Sequence, residues 1–206
     1  MTPKNGCRAE HYYSSHPTSE KKPGLIRTSL RGKTFEFTTA ASVFSKKRVD
    51  TGTRLLIETM ILPEQGRILD VGCGYGAVGI VAASLNPASK VTMTDVNMRA
   101  VRLTQENIAK NKVANAEVRS GYIYEPVEGI RFDCILSNPP VSAGMDTVKA
   151  IVTEAKKVMT TKATLQMVVR SKIAGKSLPV AFEATFGNCT ILARESGYRV
   201  LMAENS

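Results

Sequence analysis

Residues 68–79 read Ile-Leu-Asp-Val-Gly-Cys-Gly-Tyr-Gly-Ala-Val-Gly, and no other stretch of the chain narrows the fold as much. An apolar run ends in an acid, Asp70. Glycines then recur at Gly72, Gly74, Gly76 and Gly79, and an apolar helix pattern follows from Ala77 to Leu85. That order spells a strand, a tight turn and a helix, with the backbone of the turn stripped of side chains so that it can bend sharply and approach something closely. A turn needing glycine only for its dihedrals would not need four. Two binding-loop patterns overlap here, one counted from Gly74 and one from Asp70, and the rest of the chain has to choose between them.

The pattern after Arg67 is a regular alternation. Strands are expected at Arg67–Val71, Lys90–Thr94, Ala116–Arg119, Phe132–Ser137 and Ala163–Val169, and two more at Cys189–Ala193 and Tyr198–Met202. Helices are expected at Ala77–Leu85, Met98–Lys110, Asp146–Met159 and Ser177–Phe186. Repeated β-α units with right-handed crossovers give a parallel sheet with helices on both faces. The short Arg194–Gly197 gap makes the last two strands a hairpin, which inserts one antiparallel strand. Upstream, Lys33–Thr39 alternates Phe35 and Phe37 as a strand does, with Val43-Phe44 as its expected hairpin partner. Asp50 and Thr53 supply N-cap chemistry for a helix through Leu55, Leu56, Thr59 and Met60 that stops near Pro63. Residues 1–24 read as a loose basic arm. Residues 25–206 read as one domain, with the hairpin and helix over 25–63 and the sheet over 64–206.

Composition bounds the setting. No apolar run approaches the roughly 18 residues of a membrane span, and the N-terminus carries no apolar signal segment. Cys7, Cys73, Cys134 and Cys189 are scattered and the chain has only two histidines, so neither a disulfide framework nor a metal site is expected; the reading is a cytoplasmic protein with reduced thiols. The net charge is +10, and residues 1–54 hold eleven Lys and Arg against four Asp and Glu. A localised basic segment beside a near-balanced domain favours a polyanionic partner such as nucleic acid.

Two acids and a dipeptide choose the cofactor. Counted from Gly74 the loop is G-x-G-x-x-G, a dinucleotide turn; counted from Asp70 it is D-x-G-x-G-x-G, a turn for S-adenosylmethionine. Asp70, ahead of the glycines, would repel a pyrophosphate but can accept from an amino group. Asp95, at the end of the second strand, suits ribose hydroxyls, which both cofactors have; capping the helix at Met98 is its structural alternative. Leu136-Ser137-Asn138-Pro139-Pro140 then ends the fourth strand. Two prolines fix the backbone and donate nothing, so the Asn138 and Pro139 carbonyls keep their acceptor capacity, and Asn138 adds a side-chain carbonyl. Together these features select S-adenosylmethionine.

On these residues the chain resembles class I methyltransferases of the amino-methylating Asn-Pro-Pro group, and more narrowly the catalytic domain of ribosomal small-subunit RNA guanine-N2 methyltransferases. Val43–Glu58, Ile68–Ile80, Thr94–Val101, Asn138–Pro140 and Gly197–Leu201 carry the likeness, the first of them most specifically. The resemblance implies a Rossmann-like fold, with a seven-stranded mostly parallel sheet behind a short hairpin and helix. It implies cofactor contacts from Asp70, Gly72, Cys73, Gly74, Gly76, Asp95, Val96 and Tyr122, and catalytic roles for Asn138, Pro139 and Pro140. Ribosomal RNA is the implied partner, with Lys46, Lys47 and Arg48 expected on its phosphates. The chain departs from the pattern at Val141, where an aromatic residue is common, and at Tyr122, where an acid or amide is expected. Two other readings compete: methylation of a glutamine side chain in a protein, and a non-catalytic RNA-binding module that keeps the fold.

Overall fold

The alternation beyond residue 64 becomes one twisted sheet in a computed structural model that describes residues 24–40, 48–140 and 144–206. The strands are β3 (Gly66–Val71), β4 (Ser89–Asp95), β5 (Ala116–Ser120), β6 (Phe132–Ser137), β7 (Met159–Arg170), β8 (Thr190–Glu195) and β9 (Tyr198–Glu204), in the order β5-β4-β3-β6-β7-β9-β8. Strand β9 runs antiparallel to both neighbours and the other pairings are parallel. Strand β3 is buried on both faces, as the centre of a parallel sheet must be. Ile68 packs in the cluster formed with α1 (Thr51–Thr59), α2 (Ala77–Leu85) and α3 (Met98–Lys110), whereas Leu69 and Val71 pack in the cluster formed with α4 (Met145–Thr153) and α6 (Ser177–Phe186). The period of two along the strand thus points Asp70 toward α2.

The expected strand at Lys33–Thr39 is present as β2, but its partner is β1 (Gly24–Leu30), on its N-terminal side. The expected partner, Val43-Phe44, lies outside the described residues. Adjacent Leu25 and Ile26 blur the alternation in β1, where Leu25 is 61% exposed and Ile26 is buried. The missed signal was Arg31-Gly32, a two-residue turn whose φ angles of 48° and 77° are those of a hairpin connection.

Two asparagines dock this hairpin. Asn107 on α3 accepts from Thr38 N at 2.7 Å and donates to Thr38 O at 3.0 Å; Asn111, just past the helix, does the same with Glu36 at 3.0 and 2.8 Å. Their carboxamides replace a neighbouring strand and satisfy the open edge of β2. Asn107 also donates to Tyr75 O at 2.8 Å, which ties the hairpin to the glycine loop.

The expected helix over Asp146–Met159 is shorter than its apolar pattern suggested. Helix α4 ends at Thr153, a 3₁₀ turn covers Ala155–Val158, and β7 begins at Met159. Met159 pairs with Phe132, and the Thr160 hydroxyl donates to Asp133 Oδ1 at 2.8 Å, so sheet contacts outweigh local helical preference. Among the described residues, no helix is long and apolar enough to cross a membrane.

Candidate active site

Between β3 and β6 the chain leaves in opposite directions, toward β4 on one side and β7 on the other. Such a switch opens a crevice at the carboxyl ends of the strands. The glycine loop follows β3 and Asn138 follows β6, so both line this crevice.

The loop is shaped by its neighbours. Gly72 N and Cys73 N donate to Thr94 O at 2.8 and 3.0 Å. Gly74 N donates to Asp95 Oδ2 at 2.9 Å, while Asn97 N donates to Asp95 Oδ1 at 2.8 Å. The N-cap of α3 is Asn97, which accepts from Arg99 N, so the capping alternative for Asp95 gives way to a role in bracing the loop. Gly76 caps α2 at φ 88°, and a β-carbon there would lie 2.9 Å from Thr104 Cγ2.

Asp70 reaches α2 as its strand position requires. Oδ2 accepts from Gly79 N at 2.9 Å, satisfying one of the orphan donors of the first helical turn, and the residue is 1% exposed. Burial pushes its carboxyl up to about 7; the Gly79 N–H opposes that rise and the charge of Asp95 adds to it. Burial likewise lifts the Cys73 thiol, with Asp95 and Asp70 contributing. A β-carbon on Gly79 would lie 2.5 Å from Met93 Cγ and Sδ and 3.2 Å from Asp70 Oδ2. Gly79→Ala is therefore expected to cost about 1–3 kcal/mol, the usual cost of overpacking, read as a lower urea midpoint at unchanged slope.

Two cavities meet at Gly72. One is lined by Thr53, Asp70, Cys73, Gly74, Tyr75 and Asn138. The other is lined by Asp95, Val96, Tyr122, Pro139, Pro140 and Thr147. All the expected cofactor and catalytic residues except Gly76 therefore gather around one groove. Gly76 instead faces Thr104 and serves the turn. Tyr122 is 39% exposed, and its hydroxyl lies 3.3 Å from Thr147 Oγ1. Lys46, Lys47 and Val141 lie outside the described residues; Arg48 is exposed, directly before the buried Val49.

Thr53 is what the sequence reading undervalued. Asp50 accepts from Thr53 N at 3.0 Å, as a cap should, and also from the Thr53 hydroxyl. Asn138 Nδ2 donates to that hydroxyl oxygen at 2.7 Å. A carboxylate only accepts, so Thr53 must give its proton to Asp50 and keep its lone pairs for Asn138. The carboxamide is thereby held by its nitrogen, with Oδ1 left for another partner. Spacing within Asp50-Thr51-Gly52-Thr53 showed the cap; only the tertiary fold, which brings residues 53 and 138 together, shows the second bond. Tyr75 adds a buried hydroxyl with no hydrogen-bond partner among the described residues; burial, with Asp50 adding to it, pushes that phenol up.

The sequence of residues 34–202 matches the family model for the methyltransferase small domain. The chain belongs to that family. An uncharacterized protein of Bacillus subtilis, YbxB, is 36% identical over 95% of this chain and 98% of its own length. Ribosomal RNA small subunit methyltransferase C of Haemophilus influenzae is 31% identical over 79% of this chain, and that of Serratia proteamaculans 33% over 82%. The chain spans about half the length of these two, 49% and 48%. Among solved structures, the Thermus thermophilus 16S rRNA N2 G1207 methyltransferase, in complex with AdoMet and guanosine, superposes with a TM-score of 0.80 at 24% identity, covering 93% of this chain and 52% of that one.

The chain thus carries the methyltransferase small domain on the fold of that enzyme, whose bound AdoMet is S-adenosylmethionine. Its crevice fits that molecule. A β-carbon built on Gly72, where the cavities meet, finds nothing within 4 Å. Buried Asp70 lines one cavity together with Tyr75, and Asp95 lines the other.

Proposed function

We propose that the protein methylates the exocyclic amine of guanine in ribosomal RNA. The reading rests on the carboxamide of Asn138, whose nitrogen is tied to Thr53 so that its oxygen is free to accept. It is supported by likeness to relatives that are ribosomal RNA small subunit methyltransferases. In this reading Asp70 receives the amino group of the cofactor and Asp95 the ribose hydroxyls. Gly72, Cys73, Gly74 and Gly76 shape the loop beneath it, and Val96 and Tyr122 flank the adenine. Bound S-adenosylmethionine supplies a methyl group activated by a sulfonium.

Everything else falls to the chain. A guanine amine is a weak nucleophile because its lone pair is delocalised into the ring. Asn138 Oδ1 and the Pro139 carbonyl accept its two hydrogens and draw the nitrogen toward a tetrahedral shape with its lone pair free. Pro140 keeps that backbone fixed and free of competing donors. Positioning and preorganised acceptors carry the rate, with no strong base required before attack, since the amine becomes acidic only after it has gained the methyl group. Lys46, Lys47 and Arg48 engage RNA phosphates.

Incubation with methyl-labelled cofactor and unmodified small-subunit ribosomal RNA, followed by nucleoside mass spectrometry, tests the reading. N2-methylguanosine is the expected product. Label in another nucleoside, or only in protein glutamine, would overturn it.

A further inference from the structure

The carboxyl edge of the sheet continues past the crevice to a second feature. Strand β7 overruns its pairing with β6, in which Ser137 sits beside Met167, and ends at Arg170. The short helix α5 (Ser171–Ala174) follows, with Lys172 and Lys176 exposed along it and just after it. The terminal hairpin lies alongside, and Arg194, near the end of β8, is exposed. This segment is well fixed. Ser171 N donates to Gly197 O at 2.8 Å, and Arg199 donates to Ser171 Oγ and to Gly175 O, both at 3.1 Å.

Its charge is one-sided. Arg170, Lys172, Lys176, Arg194 and Arg199 stand against Glu195 alone within residues 170–176 and 194–199. The ion pairs among the described residues lie elsewhere: Arg27–Glu36, Arg54–Glu58, Lys90 and Arg119 with Glu117, and Lys157–Glu154. Unneutralised cations gathered on one rim raise the local potential and favour a polyanion.

The rim is joined to the crevice by contact. Arg170 lies over the Tyr198 ring, 5.2 Å from its centroid, and donates to its hydroxyl at 2.9 Å. The Cδ1–Cε1 edge of that ring meets α1, where a β-carbon on Gly52 would come within 2.9 Å of Tyr198 Cε1. Gly52 lies between Asp50 and Thr53, which hold Asn138. From the carboxamide to the basic rim there are therefore only the first turn of α1 and one tyrosine ring.

We propose that Arg170, Lys172, Lys176 and Arg194 form the docking surface for the phosphodiester backbone of the RNA next to the target base. This rests on the reading of the protein as an RNA methyltransferase, and it places the backbone on the β7–β9 side of the crevice. Lysines supply point charges to phosphates, and Arg170 presents a planar cation stacked on an aromatic ring, a pairing suited to single-stranded nucleic acid.

The test uses a 20-nucleotide single-stranded RNA containing guanine, with binding measured from 50 to 200 mM salt. Lys172→Ala/Lys176→Ala should weaken binding and flatten log affinity against log salt by about 1.4, two contacts at about 0.7 each. Cofactor affinity should not change. Arg67→Ala/Lys110→Ala removes the same charge at the opposite edge of the sheet and should leave the slope intact. If both double variants shift the slope equally, only net charge matters and the docking surface is refuted. An unchanged slope in the first variant, with wild type binding and methylating RNA, also refutes it. Wild type that binds cofactor but neither binds nor methylates any RNA refutes the underlying reading instead.

Discussion

Replacing Asn138 with alanine is expected to lower kcat by about 10²-fold or more, the scale on which a single preorganised polar group acts in a transition state. The loss should persist at saturating RNA, because the carboxamide is assigned to the reacting amine rather than to docking. Cofactor affinity, measured by calorimetry, should stay close to wild type, since Asp70 and Asp95 reach the groove from β3 and β4. Equal loss of cofactor affinity would make Asn138 a wall of the pocket instead. The bond from Asn138 to Thr53 extends the experiment. Thr53→Val removes the hydroxyl that receives Asn138 Nδ2, and kcat should fall about five- to tenfold, the worth of one hydrogen bond. Thr53→Ser keeps the hydroxyl and should restore most of the rate. A variant that only loosened α1 would be rescued by neither serine nor saturating substrate.

The second large effect is on cofactor affinity and its pH dependence. Burial holds the Asp70 carboxyl at about 7, against an ordinary value of 3.8. The native state therefore keeps a proton that the unfolded chain has shed, and stability without cofactor should fall as pH rises from about 4 to 7. Cofactor binding should run the other way. An amino group on Asp70 favours the ionised carboxylate, so affinity should rise about tenfold per pH unit below 7. It should level off there and decline again above about 7.7, where an α-amino group loses its proton. Asp70→Asn should abolish the acid limb and weaken binding at neutral pH about 10- to 100-fold, the worth of a hydrogen bond between charged groups. The Gly79 N–H keeps an acceptor in that variant, so the loss is not simply that of the helix cap. A wild-type profile flat between pH 5 and 7 would place the amino group elsewhere.

Most of the sheet was legible because its signals are local. Strand β3 and the terminal β8–β9 hairpin fell within a residue or two of expectation, since apolar runs and glycine turns mark their own ends. Strand β1 was not legible, because Leu25-Ile26 breaks the period of two and Lys33–Thr39 took a partner on the side opposite to the one its sequence neighbours suggested. The extent of α4 was misread because Met159 answers to Phe132 across the sheet, and no local pattern records that.

The candidate site divides along the same line. The sequence alone determined the kinds of groups available: glycines without side chains at the end of one strand, acids at the ends of two, and an asparagine locked in front of two prolines. Backbone conformation and donor chemistry belong to each residue and its immediate neighbours, so these were readable in one dimension. What each group is free to do was decided by the tertiary structure. Packing in three dimensions spent one oxygen of Asp70 on Gly79 and raised its carboxyl by burial, gave Asp95 the task of bracing Gly74, and turned Gly76 away toward Thr104. It also carried Thr53 across 85 positions of chain to fix the orientation of Asn138. Solvation and hydrogen-bond partnership depend on what lies nearby in space, which no spacing along the chain encodes.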